Sequence, residues 1–244
     1  MLKEERLNEI MNLLKVHKFV SVDFLVKELH YSPATIRRDI NALANSGVVK
    51  KVHGGIGLDE YSVTIREHEN IENKRKLCVE AAKLIGDHST IFLIGSSTTY
   101  ILSTLLLGKA DLTVITSDLK LAMHFGKNGV NCYCIGGKVY GNAIAGAVAI
   151  DELRRFHMDL CIFSVSAIAD DGNISSRDEN FAQMVRELIH RADKSICLCV
   201  ADNWGKEKLI SCGNVADIDY LITDREDIQQ LRTKFPGTQF IHAK

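Results

Sequence analysis

From residue 74 onward, short apolar runs alternate with stretches of helical periodicity, and this alternation constrains the fold more than any other feature. The apolar runs have the length of strands and cover 90–95, 112–116, 131–137, 159–165, 195–200 and 219–223. Helical patterns lie between several of them, at 96–107, 118–127, 145–156 and 178–192. Continuous apolar strands with helical crossovers predict an α/β domain whose mainly parallel sheet is buried on both faces.

Polar loops follow five of the predicted strands, at the edge where parallel sheets bind ligands. Glycine and hydroxyl residues that open a helix offer N–H and O–H donors to a phosphate. The candidates for binding a small anionic effector are Gly95, Ser96, Ser97, Thr98, Thr99, Thr116, Ser117, Asp118, Gly136, Gly137, Asp202, Lys206 and Lys208. Taken singly, each loop is explained as well by capping and turn formation. As a set, the loops favour a ligand crevice.

The first 57 residues have a different charge balance from the rest of the chain. They contain nine Lys and Arg against six Asp and Glu, a net +3, whereas the whole chain carries −1. Leu7, Ile10, Met11 and Leu14 recur at helical spacing, so residues 4–16 predict an amphipathic helix. A second helix is predicted over 21–29, after which "HYS" forms a short connection.

"SPATIRRDINAL", residues 32–43, predicts a third helix with a cationic face. Ser32 is a good N-cap and Pro33 suits the first helical position, while Gly47 favours a stop after about Asn45. Ile36, Ile40 and Leu43 fall on one side of this helix and predict its packing face. The opposite side carries Ala34, Thr35, Arg38, Asn41 and Asn45, with Arg37 at its flank, and Ser32 precedes it.

A short turn before a helix that opens with polar and cationic groups is the design of a helix-turn-helix. Arginine reads guanine or clamps a phosphate in such a position. "GVVKKVHGG", residues 47–55, adds a strand and a turn typical of a wing, so Lys50, Lys51 and His53 are further DNA-contact candidates. The alternative is a helical packing module with a solvated charged face.

These residues closely resemble a known family. "SPATIRRDINALANSGVVKKVHGG" is similar to the N-terminal signature of the DeoR family of bacterial transcriptional regulators. The resemblance implies DNA binding by residues 1–57. It implies that Asp39 holds neighbouring arginines or the wing. It continues through "IREHENIENKRK", where Arg66 and Lys74 match an Arg and a Lys of the family.

The resemblance covers essentially the whole chain and implies a sensor domain related to sugar-phosphate isomerases. The family pattern D-x-G-T-T-T is here "IGSSTT", in which Ile94 replaces the acid and Ser96 the glycine. The family T-N-S is "TSD", with Ser117 for Asn. In "DNWGKEK" Gly205 stands where a lysine is expected, and Lys206 or Lys208 is the expected substitute. These departures fall in the ligand site.

Composition restricts the class of protein further. The N-terminus is charged and amphipathic, unlike a signal peptide, and no apolar run reaches membrane-spanning length. Seven cysteines, all beyond residue 77, fit a reducing cytoplasm better than a disulfide framework. The C-x-C pairs Cys132/Cys134 and Cys197/Cys199 are expected to be small core residues of buried strands, and no metal or other cofactor is predicted.

Together these features predict a small winged helix-turn-helix over 1–57, a linker over 58–73 and an α/β effector-sensing and oligomerisation domain over 74–244. The expected function is regulation, by repression, of a carbohydrate-utilisation operon in response to a phosphorylated sugar. The expected partners are double-stranded operator DNA, the effector and further copies of the chain, as a dimer or tetramer. Two alternatives remain: a ligand-blind DNA-binding regulator, and an isomerase-like enzyme, which lacks an evident acid–base pair.

Overall fold

The computed structural model describes residues 3–17, 19–45, 49–52, 54–58 and 70–244. The chain divides into two compact units, residues 1–69 and 70–244. The helix that opens the second unit begins at Ile71, three residues before the boundary expected from the sequence, and the last strand of the first unit extends to Leu58. Residues 59–69 of the predicted linker, which include Arg66, lie outside the described part of the chain.

The first unit is a winged helix-turn-helix. Its elements are α1 (Lys3–His17), β1 (Phe19–Ser21), α2 (Val22–Leu29), α3 (Pro33–Asn45), β2 (Val49–Val52) and β3 (Gly55–Leu58). The three strands form an antiparallel sheet in the order β1-β3-β2. Ile36, Ile40 and Leu43 are buried in one cluster with residues of α1 and α2, which confirms the predicted packing face of α3. Strand β1 was not predicted, because three residues show no period.

The second unit is a doubly wound α/β domain. Its strands and helices are α4 (Ile71–Leu84), β4 (Thr90–Leu93), α5 (Ser97–Leu106), β5 (Thr113–Thr116), α6 (Leu119–Lys127), β6 (Asn131–Cys134), β7 (Lys138–Tyr140), β8 (Ala143–Ala145), α7 (Ala147–Leu153), β9 (Leu160–Ser164), β10 (Asn173–Ser176), α8 (Glu179–Arg191), β11 (Lys194–Leu198), β12 (Ile210–Asn214), β13 (Tyr220–Thr223), α9 (Ile228–Lys234) and β14 (Gln239–His242). Seven strands form one parallel sheet in the order β14-β13-β11-β9-β4-β5-β6. The predicted α/β fold with a mainly parallel sheet is confirmed.

Side chains of the central strands alternate between two apolar layers. In β4, Ile91 and Leu93 pack with the face covered by α4, α5 and α6, whereas Phe92 packs with the face covered by α7, α8 and α9. Both faces of the sheet are therefore buried, which is why its strands read as continuous apolar runs. Helices α5 and α6 match the predicted ranges to within one residue at each end, while α7 is shorter than 145–156.

Strand β6 corrects one expectation. It lies at the edge of the sheet, so Cys134 is exposed and Cys132 only half-buried, in contrast to the buried Cys197 and Cys199. Burial raises the pKa of the Cys132 thiol to about 11. An edge strand has a neighbour on one side only and is covered less completely than a central one.

Candidate functional site

The exposed face of α3 carries the residues predicted to contact DNA. Ala34, Arg37, Arg38 and Asn41 are exposed, and Thr35 is half-buried. Ser32 caps the helix as predicted: its hydroxyl accepts a hydrogen bond from Thr35 N at 3.2 Å and lies 2.9 Å from Thr35 Oγ1. The capping leaves the exposed arginines in the first turns of α3, where a major-groove helix presents its base-reading side chains.

Asp39 has a structural role. It is 1% exposed, and its carboxylate accepts hydrogen bonds from Arg6 Nε at 2.5 Å and Arg6 Nη2 at 3.1 Å. The hydrogen bond that Arg6 donates to Asp39 raises the pKa of the Arg6 guanidinium, which also lies 4.7 Å from the centre of the Tyr31 ring. The resemblance implied a neighbouring arginine or the wing as the partner, but the partner is an arginine of α1. The pair fixes α3 against α1.

The wing turn is fastened to the start of α2. Gly54 has φ +82°, and its carbonyl accepts a hydrogen bond from Val22 N at 3.0 Å. A Cβ on Gly55 would lie 2.3 Å from the Val20 carbonyl oxygen, so only glycine fits. These contacts explain the two glycines of "HGG". His53 and the side chain of Lys50 lie outside the described part of the chain.

A groove of about 440 Å³ opens between the exposed side of α3, the start of α2 and the wing. Arg37, Asn41 and Lys51 contribute polar and cationic groups to it, and Asp23 contributes a carboxylate. Arg37 and Asn41 lie on the α3 side of this groove, and Lys51 lies on its wing side. The groove therefore joins one flank of the helix to the wing on a single surface.

In the second unit, the strand order reverses between β4 and β9, so the carboxyl ends of these strands form the topological switch point. Ser164, the last residue of β9, donates a hydrogen bond from its hydroxyl to Ser96 Oγ at 2.8 Å. Sequence reasoning missed Ser164. The sequence did contain a signal for it, because Ser164 is a hydroxyl residue near the carboxyl end of the strand predicted over 159–165.

The "GSSTT" loop forms a capping box at the start of α5. Ser96 has φ −160° and accepts a hydrogen bond from Thr99 N, while Thr99 Oγ1 accepts from Ser96 N at 2.8 Å and donates to the Ile94 carbonyl at 2.6 Å. Ser97 and Thr98 are also buried, but no described residue accepts or donates a hydrogen bond at their hydroxyls. Those hydroxyls are therefore available to a ligand, whereas Thr99 is occupied.

Asp118 caps α6 beside this loop. Its Oδ1 accepts hydrogen bonds from Leu121 N at 2.9 Å and from the Tyr100 hydroxyl at 2.6 Å. A Cβ on Gly95 would lie 2.2 Å from Asp118 Oδ2, so Gly95 is required by close packing. Thr116 is buried, and its hydroxyl donates to the Leu93 carbonyl and accepts from Asp118 N, while the Ser117 carbonyl accepts from Ile144 N. The ends of β4, β5 and β9 thus form one connected polar site.

Other effector candidates lie farther along the same edge. Gly136 and Gly137 follow β6, whereas Asp202, Lys206 and Lys208 follow β11, four strand positions away. At about 4.8 Å per strand, the strands β6 and β11 themselves are about 19 Å apart. Lys206 is exposed and Lys208 half-buried.

Gly205 occupies the position of the expected lysine with φ +66°, a conformation that favours glycine. Glycine at this position therefore allows the loop to make a left-handed turn. Asp202, also in this loop, accepts a hydrogen bond from Asn70 Nδ2 at 2.9 Å.

A winged helix-turn-helix with an exposed cationic face, followed by a doubly wound domain with a polar site at its switch point, defines a two-unit DNA-binding regulator with a sensor domain. Comparison with known proteins agrees. The family model of the DeoR-like helix-turn-helix domain matches residues 6–61, and that of the DeoR C-terminal sensor domain matches residues 69–225. The chain belongs to the DeoR family of transcriptional regulators.

Relatives share its full organisation. The HTH-type transcriptional regulator GolR of Listeria innocua is 33% identical over 95% of this chain and 94% of its own length. The glycerol-3-phosphate regulon repressor of Escherichia coli is 27% identical over 92% of each chain, and the repressor GlcR of Bacillus subtilis is 29% identical over 92% and 90%.

Among solved structures, ribose 5-phosphate isomerase A from Methanocaldococcus jannaschii covers 56% of this chain and 55% of its own, with a TM-score of 0.43 and 14% identity. That likeness is too distant to carry a functional argument. Within the described residues, none of the helices combines the length and the apolar character that crossing a membrane requires.

Proposed function

We propose that this protein represses a carbohydrate-utilisation operon and that a phosphorylated sugar controls its affinity for the operator. The observation that carries the proposal is the exposed pair Arg37 and Arg38 at the start of a capped helix, beside a wing that carries Lys51. Two adjacent exposed guanidinium groups match base edges and phosphates in a major groove.

The switch-point site supports a phosphorylated effector. Ser97 and Thr98 place hydroxyls in the first turn of α5, where the helix dipole and unpaired N–H groups favour an anion. The Escherichia coli relative is named for the regulon of a phosphorylated metabolite, glycerol 3-phosphate. A ligand held there changes DNA affinity only if it binds two states of the protein unequally.

The chain acts, in this proposal, by binding and not by turnover. A sugar-phosphate isomerase needs a general base beside an oxyanion stabiliser. Asp118 lies beside the "GSSTT" loop, but its Oδ1 caps α6 and accepts from Tyr100. Ile94, the residue directly after β4, stands where the family carries an acid. An isomerase assay on the purified protein is expected to give no turnover.

We expect at least a dimer, because one short recognition helix reads few bases and specific affinity usually requires two half-sites about 34 Å apart or a multiple of this. Large apolar side chains are exposed along 119–148, a stretch that includes the edge strand β6, and they are Leu119, Met123, Tyr133, Val139, Tyr140 and Val148. Such a surface favours self-association. Light scattering tests this: a monomer with full operator affinity would refute it.

The central experiment selects a binding site from a randomised duplex library and measures its affinity by fluorescence anisotropy with and without a panel of phosphorylated sugars. The wild type is expected to prefer the selected duplex over a random one by at least about 10³-fold, and one sugar phosphate is expected to weaken it. Equal affinity for both duplexes would refute operator recognition. No response to any phosphorylated sugar would favour the ligand-blind alternative.

Thr98→Asp tests the place of the effector. A carboxylate at the start of α5 repels a phosphate, so the variant is expected to lose the response and keep wild-type operator affinity. Thr104→Asp on the exposed side of the same helix is the matched control. Thermal unfolding without ligand verifies that both variants fold. A Thr98→Asp protein that still responds fully would place the ligand elsewhere.

A further inference from the structure

The two edge strands of the large sheet differ in how their outward backbone groups are satisfied. In β14, Gln239 donates its N–H to the Asp219 carbonyl just before β13, so Phe240, the next residue, directs its backbone groups away from the sheet. Arg232 of α9 donates to that Phe240 carbonyl at 2.9 Å. A charged side chain laid along an edge is one way in which proteins prevent further strand pairing. The β14 edge is therefore partly closed.

Strand β6, at the opposite edge, has no such cover. Ile135 donates its N–H to the Thr116 carbonyl of β5 at 3.0 Å, so the odd-numbered residues here direct their backbone groups toward β5. Cys132 and Cys134 therefore direct theirs outward, and no residue of the described chain hydrogen-bonds to those groups. The strand also contains no proline and no charged residue. Such an edge is a template for another strand.

Exposed apolar side chains lie on both faces of the sheet beside this edge. Tyr133 is 50% exposed, and its ring lies 5.7 Å from that of Phe156, which packs on the face covered by α7 and α8. On the other face, α6 packs on β6 and carries the exposed Leu119 and Met123, one turn apart. A partner that continues the sheet would cover the open backbone and the apolar surface together.

The outward groups of β6 are complementary to those of β6 itself. Cys132 and Cys134 lie one residue before and one residue after Tyr133. In an antiparallel pair with a two-fold axis at Tyr133, Cys132 of each copy lies opposite Cys134 of the other, and the two pairs exchange four hydrogen bonds. Tyr133 of each copy forms the close, non-hydrogen-bonded pair between them, and cross-strand aromatic pairs are favourable. This register uses every outward group of the strand.

We propose that β6 pairs with β6 of a second copy of the chain, antiparallel and about a two-fold axis at Tyr133, so that two sensor units share one continuous sheet. This rests on the self-association in the proposed function and gives it a strand, a register and a symmetry. An interface between two identical patches closes as a dimer, and its two-fold axis matches the two half-sites of an operator. The dimer covers the thiol of Cys134, which is exposed in the single chain.

Disulfide formation tests the register. Tyr133→Cys is made together with Cys132→Ser and Cys134→Ser, which leaves only buried native cysteines. Opposed non-hydrogen-bonded residues have Cα atoms about 4.5 Å apart, a distance that a disulfide bridges. With diamide as the oxidant, most of this variant is expected to run as a covalent dimer on a non-reducing gel. Val79→Cys in the same background, at a site 41% exposed on α4, is the control and is expected to remain mostly uncrosslinked.

A proline in β6 tests whether the backbone of this strand forms the interface. The Cys134 N–H points away from β5, so Cys134→Pro removes no hydrogen bond within the chain and is tolerated on an edge strand. It removes two of the four hydrogen bonds across the interface, and the dissociation constant of the dimer is expected to rise at least about tenfold in analytical ultracentrifugation. Cys134→Ser keeps the N–H and is expected to change that constant less than about threefold.

The outcomes separate this inference from the proposed self-association. If the wild type is a monomer at concentrations that bind the operator, both fail. If it is oligomeric but Tyr133→Cys crosslinks no better than Val79→Cys, or Cys134→Pro keeps the wild-type dissociation constant, the inference fails and another surface joins the copies. Thermal unfolding of every variant, followed by the fluorescence of Trp204, distinguishes a lost dimer from a lost fold. If Cys134→Pro does not fold, the disulfide test decides alone.

Discussion

The two units use their motif residues in opposite ways. In the DNA-binding unit, Arg37, Arg38 and Asn41 are exposed, so the signature leaves these polar groups open to solvent. In the sensor unit, Ser96 and Thr99 are hydrogen-bonded to each other, and Asp118 is bonded to the α6 backbone and to Tyr100. Polar motif residues are thus exposed in one unit and largely hydrogen-bonded within the fold in the other.

The difference shows when a polar sequence motif is good evidence for a binding site. Exposed arginines have no structural role to explain them, and a partner is the simplest account. Hydroxyl residues at a helix start have capping to explain them first. In "GSSTT" only Ser97 and Thr98 remain after capping is taken into account, and they are the residues to test for ligand contact.

The largest effect is expected from a variant that lowers the stability of the DNA-binding unit and leaves the stability of the sensor unit unchanged. Arg6→Met removes the partner of the buried Asp39 carboxylate, which is expected to cost about 3 kcal/mol or more. The single tryptophan, Trp204, lies in the sensor unit, so its fluorescence reports that unit alone. Urea unfolding by circular dichroism is expected to show an earlier first transition, while the fluorescence midpoint is unchanged.

Lys83→Met provides the control for this variant, because it breaks an exposed pair with Glu80 on α4. It is expected to move neither transition measurably. A fluorescence midpoint that falls together with the circular dichroism signal in Arg6→Met would contradict the independence of the two units.

The next effect distinguishes Gly95, in the loop after β4, from Gly136, in the loop after β6. In Gly95→Ala the new Cβ would meet Asp118 Oδ2 at 2.2 Å, whereas in Gly136→Ala it would meet nothing within 4 Å. The first is expected to destabilise the sensor unit by about 1–3 kcal/mol, and the second by less than about 0.5 kcal/mol. Urea midpoints from Trp204 fluorescence measure both. Equal midpoints would show that Gly95 is not fixed by packing.

Much of the fold followed from the sequence because its signals were periodic. The packing residues of α3 and the N-cap Ser32 were predicted from spacing and from the backbone needs of a helix start. The strands of the large sheet were predicted because they are apolar without interruption. The β7–β8 hairpin and β14 were not predicted, since strands of three or four residues with mixed polarity show no period.

The sites were harder to predict, because contacts between distant residues have no local signal. The Arg6–Asp39 pair joins α1 to α3, and the bond between Ser96 and Ser164 joins two strands. The exposure of Cys134 depends on the order of the strands, which the run "NCYCIGG" does not encode. Lys74 was noticed in the family pattern only, and its burial became evident from the packing of α4.

The third effect concerns Arg38, the exposed arginine that we propose as a base-reading residue. Arg38→Ala is expected to weaken binding to the selected duplex by about 1–3 kcal/mol and to relax the preference at one base position. Lys27→Ala, an equal change of charge on the exposed side of α2, is the control and is expected to leave the preference unchanged. Anisotropy with the selected duplex and its single-base variants measures both. An unaltered preference in Arg38→Ala would show that another side chain reads that base.

The smallest expected effect distinguishes the role of Arg37 in DNA binding from that of its neighbour Arg38. Arg37 lines the groove between α3 and the wing, together with Lys51, whereas Arg38 does not line that groove. A groove between the recognition helix and the wing suits the DNA backbone, although Asp23 makes it less than uniformly positive. Arg37→Ala and Lys51→Ala are each expected to lower the slope of log K against log salt by about one and to weaken selected and random duplexes alike. Titrations at several salt concentrations measure the slopes. If Arg37→Ala instead changed the base preference and kept the slope, Arg37 would belong with Arg38 among the base-reading residues, and the groove would hold no backbone phosphate.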